Sequence, residues 1–196
     1  MKYVFFLTLF VLFCTAIADA QTGSSGIFRT AEDFMNDNLE YAIQCDSQSH
    51  KIKTGMLFKR NWVMVKHEGE TYKINKDSMY AIRYCTGVIE RLYQGKTYPM
   101  VNPGEDILMY KINIDQVGKS QPAQTKWYFS KSAHWAIQPL TIGNLLGAFP
   151  ENHAFHDALM AEFKFDSELA RYDSVHKMMR INRLYTSTKT NQNERQ

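Results

Sequence analysis

The chain has 196 residues, of which 44% are hydrophobic, and 23 Lys and Arg stand against 20 Asp and Glu for a net charge of +3. That length and apolar share fit one domain with a real core. The cations are scattered as Lys51, Lys53, Lys59, Arg60 and Arg171, Lys177, Arg180, Arg183 rather than gathered in one stripe, so the charge points to no nucleic acid and to no anionic membrane.

Residues 1–20, MKYVFFLTLFVLFCTAIADA, join a basic Lys2 to an apolar run from Val4 to Ala18 and a small-x-small end at Ala18-Asp19-Ala20. This reads as a secretory signal peptide, cleaved before Gln21. The alternative is a retained anchor, but polar QTGSSG follows without a basic stop-transfer cluster, and Cys14 lies inside the run rather than at a lipoprotein cleavage point. The expected localisation is therefore the periplasm or the extracellular space, with no stable membrane insertion after cleavage. The remainder reads as a single β-rich domain over 21–186, its helical part at about 140–186, with a polar, disordered tail over 187–196.

QTGSSG is expected to be a flexible leader. A short helix follows in TAEDFMNDN, where Thr30 caps the first turn, Asp33 reciprocates in a capping box and Phe34 supplies an apolar anchor. Asn36, Asp37 and Asn38 end it before Leu39–Ile43 enters a sheet. From residue 50 to 130 the period is two. WVMVKH-EGE-TYKI, MYAIRY-CTG-VIERLY and RLY-QGK-TYPMV read as hairpins turning at Gly69, Gly87 and Gly95, and DILMYKINI and TKWYFS add two strands. The predicted fold is α+β: an antiparallel meander of about six to eight strands, as a sheet or partly closed barrel, with C-terminal helices. Tyr93, Tyr98, Tyr110, Trp127 and Phe129 give the sheet broad aromatic contacts, or a platform for stacking a carbohydrate. After Pro139 the period becomes helical. LTIGNLLGAF presents Leu140, Leu145 and Phe149, Pro150 punctuates, and a last helix is expected from Asp166 or Ser167 through ELARYDSVHKMMRINRLY.

Cys45 and Cys85 are the cysteines of the mature chain, and an oxidising compartment favours their disulfide; in a compartment without oxidase activity both would be small buried apolar groups. The closest histidine pair, His153 and His156 with Asp157, occupies one sector of a helix beside the apolar stripe Phe155-Leu159-Phe163. Side chains one turn apart can ligate a metal, with His176 as a remote third ligand. The HExxH order of a zinc hydrolase is missing, however, and the structural reading is preferred: helix opening and docking surface, with His176 packed on the apolar face of the last helix against Asp157 or Glu162. No catalytic residue and no cofactor is assigned. No serine has a local base that sets it apart from the others, no G-x-S-x-G occurs, and the pairs Glu68/Glu70 and Glu105/Asp106 read as solvated hairpin tips.

The ordered set FRTAEDF, HKIK, KDSMYAIRY, PLTIGNLLGAFPENHAFHDAL and YDSVHKMMRINRLY resembles a group of exported proteins of Bacteroidota with no established activity. The resemblance covers roughly residues 27 to 186 and implies export and a single unit; it brings no catalytic residue or cofactor with it. The functional expectation is a non-enzymatic secreted or periplasmic binding module, whose partner is an envelope protein or a small ligand. The alternatives are a metal-dependent or histidine-based hydrolase at His153, His156 and Asp157, and a structural component of an envelope assembly.

Overall fold

A computed structural model describes residues 23–46, 51–54, 61–114 and 123–193; the predicted signal peptide at 1–20 lies outside them. Among the described residues thirteen strands and four α-helices follow one another as β1 (Ser24–Phe28), α1 (Ala31–Met35), β2 (Glu40–Gln44), β3 (Lys51–Thr54), β4 (Trp62–His67), β5 (Glu70–Asn75), β6 (Ala81–Arg83), β7 (Ile89–Tyr93), β8 (Lys96–Pro99), β9 (Leu108–Ile114), β10 (Gln124–Ser130), β11 (Gln138–Pro139), α2 (Ile142–Ala148), α3 (His153–Glu162), β12 (Tyr172–Asp173), β13 (Met178–Met179) and α4 (Arg180–Asn193). The pairings among these residues are antiparallel, in the orders β2-β1-β6-β7-β8, β3-β4-β5, β11-β10-β9 and β12-β13. The architecture is α+β with open sheets rather than a closed barrel. No helix among the described residues is long and apolar enough to cross a membrane.

From β6 to β10 the chain meanders as expected, because connections this short force neighbours together. Tyr93 pairs with Lys96 across a two-residue turn in which Gln94 and Gly95 both take positive φ, the backbone that matches strand twist and favours glycine at its second position. Thr30 and Asp33 form the predicted capping box on α1. Cys45 and Cys85 form a disulfide, their Cα atoms 5.4 Å apart, joining the ends of β2 and β6 on either side of β1.

The leader expectation is overturned at Ser24–Phe28. This is the strand between β2 and β6, and Ile27 and Phe28 are fully buried. A side chain at Gly26 would meet Leu39 Cβ at 3.0 Å and the Glu40 carbonyl at 3.1 Å, so the glycine that suggests flexibility is there to let β2 approach. The last helix is corrected too. Residues Asp166–Glu168 make a 3-10 turn, a hairpin β12–β13 follows, and α4 starts only at Arg180. Asp173 Oδ1 accepts from the backbone N–H of Val175 and His176, and Lys177 takes a φ of 54°; both fix a turn where helical periodicity was read. At its other end α4 runs to Asn193, into the stretch expected to be a disordered tail.

Among the described residues strand alternation sorts the apolar side chains into three cores in series. Ile27, Ile43 and Ile82 pack with Val63, Val65 and Ile74 of the β3-β4-β5 sheet. On the opposite face Phe28, Ala81, Ile89 and Tyr98 meet Leu108, Tyr110 and Ala133 in a middle core. The third lies beyond β9 and β10, where Ile107, Met109 and Phe129 meet Leu145, Phe149, Ile181 and the predicted stripe Phe155, Leu159 and Phe163. An isolated bridge, Met100 to Tyr110, carries the five-stranded sheet over onto β9.

Candidate functional site

His153 and His156 meet edge to face on the first turn of α3. His153 is exposed at the start of α3, its ring centroid 5.9 Å from that of His156. A ring nitrogen of His156 is taken by the Phe149 carbonyl at 2.9 Å, and Asp157 is exposed. His176, expected on an apolar helix face, is exposed on the β12–β13 turn, where its Nδ1 meets Asp173 Oδ2 at 2.9 Å. Among the described residues no group of three or more His, Cys, Asp or Glu side chains is placed to hold a metal ion. Glu105 departs from its reading as a solvated tip: its carboxylate accepts from the Met179 N–H at 3.1 Å and from Asn102 Nδ2 at 3.0 Å, while Asp106 reaches Lys189 at 3.6 Å.

The feature that packing alone does not account for is Arg91. On β7 the alternation puts Ile89, Arg91 and Tyr93 on the face of the middle core, so a guanidinium occupies a position where the pattern calls for an apolar side chain. It is 4% exposed. Three tyrosine rings surround it, with centroids 4.7 Å (Tyr80), 5.6 Å (Tyr93) and 6.0 Å (Tyr110) from Cζ; the electron-rich faces of such rings attract a cation. Nη1 donates to Tyr110 Oη at 2.9 Å and to Ser130 Oγ at 3.1 Å, and these two hydroxyls share a bond of 2.9 Å. Nη2 donates to the carbonyl of Trp135 at 2.8 Å.

Among the described residues no carboxylate pairs with Arg91, and its Nε–H is buried without a hydrogen-bond partner. Taking a charge out of water costs several kcal/mol even after relaxation, a cost that an ion pair normally offsets. Here one carbonyl, two hydroxyls and three ring faces offset part of it. The Tyr80 hydroxyl is also buried without a hydrogen-bond partner. Burial pushes its pKa far above the ordinary tyrosine value, and the neighbouring Tyr110 adds to the rise while Arg91 opposes it.

One wall of this box is the segment 131–137, which has no strand or helix and supplies the Trp135 carbonyl to Arg91. Ala133 and Ile137 pack into the middle core. Among the described residues, the bond from Arg91 to the Trp135 carbonyl is the hydrogen bond joining the segment's backbone to the sheets. The indole of Trp135 is half exposed, under the Lys131 ammonium at 4.8 Å. On the other side Tyr93 also lines a surface cleft with Lys76, Asp77, Met79, Leu92, Gln94 and Gly95. Sequence reasoning singled out Tyr93 and Tyr110 as sheet aromatics and passed over the arginine between them. The signal was the register of VIERLY, which aligns Arg91 with Ile89 and Tyr93. No protein-family description, curated protein or solved structure matches the chain.

Proposed function

We propose that this chain is an exported, non-enzymatic binding module of the periplasm or extracellular space, and that it takes a small anionic ligand at Arg91. The observation that carries the reading is a buried guanidinium that has, among the described residues, no carboxylate partner and an unmatched Nε–H, in a box that also holds a tyrosine hydroxyl without a hydrogen-bond partner there. Buried charges that serve only the fold are paired. A cation left unpaired at a stability cost is what an anion-binding protein supplies to its ligand, which brings the counter-charge. The ring faces of Tyr80 and Tyr93 would pack the ligand's apolar part, and the backbone at Trp135 would move aside to admit it. The signal-like leader and the Cys45–Cys85 disulfide support export, since such bonds persist in oxidising compartments.

The test is thermal unfolding in a panel of small anions and their neutral analogues at constant ionic strength. Ligand at a hundred times its Kd stabilises by about 2.7 kcal/mol, which for a chain of this size raises Tm by roughly 5–10 °C. The rise should vanish in Arg91→Met. A panel without such a rise, or a rise that survives Arg91→Met, removes the reading.

A further inference from the structure

The planar guanidinium presents Nε–H and Nη2–H along one edge, a fork whose spacing matches the two oxygens of a carboxylate. In this structure a single oxygen, the Trp135 carbonyl, sits on Nη2 at 2.8 Å, while Nε on the same edge is buried without a partner. The other edge is occupied, because Nη1 is committed to Tyr110 and Ser130. We infer that the ligand of this site is a carboxylate bound side-on by Arg91, and that the loop carbonyl of Trp135 is a built-in, one-oxygen occupant which the carboxylate displaces. This rests on the reading of the Arg91 box as the binding site.

Charge and shape both select the carboxylate among anions. The box holds one cation among the described residues; Lys131, half-buried, is engaged by the Trp135 and Phe149 rings, with centroids at 4.8 and 5.0 Å. A monoanion therefore neutralises the site, whereas a doubly charged sulfate or phosphate would leave excess negative charge among Ile89, Ala133 and the tyrosine rings. A flat two-oxygen group also makes both bonds of the fork at once and accounts for Nε, which the loop carbonyl leaves unmatched. Displacement breaks one hydrogen bond between the Trp135 backbone and the sheet, at a residue whose indole is already half in solvent, while Ala133 and Ile137 on either side keep the segment anchored in the middle core. The loop occupant lowers the apparent affinity by competing, and keeps the charge partly satisfied between ligands.

The experiment is a calorimetric titration of the full mature chain with benzoate, with benzamide as its neutral isostere, and with sulfate. In parallel, the three tryptophan indole N–H signals are followed by nitrogen-resolved NMR, that of Trp135 being identified from the spectrum of Trp135→Phe. Benzoate should bind saturably, benzamide and sulfate each at least about tenfold more weakly, and the Trp135 signal should move while those of Trp62 and Trp127 hold. Arg91→Lys, which keeps the charge and removes the fork, should weaken benzoate by about tenfold or more. The comparison of benzoate with benzamide on the unaltered chain needs no variant to fold. Sulfate binding through Arg91 as tightly as benzoate would overturn the carboxylate assignment and leave the anion site standing. Benzoate binding with a stationary Trp135 signal would overturn the displacement. Silence from all three probes would overturn the inference and the binding site together.

Discussion

Two buried polar centres flank β9, and they treat their hydrogen bonds in opposite ways. On the side of the helical core, Asn182 is 1% exposed. Its Oδ1 accepts from Ile107 N–H at 2.8 Å and its Nδ2 donates to the Ile107 carbonyl at 2.9 Å. Asn102 repeats the device by accepting from Met109 N–H at 2.6 Å and donating to the same Ile107 carbonyl and to Glu105. These amides are neutral and have partners at both ends, so they lock α4 and the turn 102–106 onto the strand. On the other side of β9 sits Arg91, charged, with one N–H unmatched. Satisfied burial at low charge is how a fold fixes its own register, whereas unsatisfied burial of a charge costs stability and calls for a separate explanation. The contrast makes Asn182 a structural lock and Arg91 the candidate site.

The sharpest way to break that contrast is to remove each centre and compare unfolding free energies in urea. Asn182→Ala leaves Ile107 N–H buried with no acceptor and deletes a donor to its carbonyl, which should cost about 2–3 kcal/mol. Arg91→Met keeps much of the side-chain volume and removes the desolvated charge. Tyr110 and Ser130 retain their mutual bond, and the carbonyl of half-exposed Trp135 can turn to water. Its stability should stay within about 1 kcal/mol of the unaltered chain. If Arg91→Met costs as much as Asn182→Ala, the arginine is a brace between β7, β9 and β10 and the comparison collapses.

Much of this was legible in the sequence, and the misses have physical causes. The turns at Gly69 and Gly95, the capping box at Thr30 and the stripe Phe155-Leu159-Phe163 were read correctly because each depends on residues a few positions apart. The strand at Ser24–Phe28 was missed because a Ser-Ser-Gly composition signals flexibility, and the contact that demands Gly26 comes from Leu39. His176 was misplaced because a helical projection assumes a continuous helix, and the turn that interrupts it is held by side-chain bonds from Asp173. For Arg91 the register of VIERLY was visible, but its partners Tyr110, Ser130 and Trp135 lie 19, 39 and 44 positions away. Only the tertiary fold says that none of them is an acid.

Tyr80→Phe sharpens the comparison at the finest scale. Removing a satisfied buried hydroxyl destabilises, whereas removing one without a partner is neutral or mildly stabilising, so at neutral pH the change should be a gain of a few tenths of a kcal/mol. The sign at alkaline pH follows from linkage. Burial, reinforced by Tyr110, raises the native pKa of Tyr80 above its unfolded value. As pH climbs through the ordinary tyrosine range, the unfolded chain therefore releases this proton while the folded chain keeps it, and folding stability falls. Phenylalanine has no such proton. Urea unfolding between pH 8 and about pH 11 should show a shallower alkaline decline in Tyr80→Phe than in the unaltered chain, with the residual slope coming from the other tyrosines raised by burial or by neighbours, among them Tyr98 and Tyr72. A loss of stability at neutral pH together with an unchanged alkaline slope would mean that the Tyr80 hydroxyl has a partner in solution. The box around Arg91 would then be as fully satisfied as the amides across β9, and the argument for a ligand there would lose its second unmatched donor.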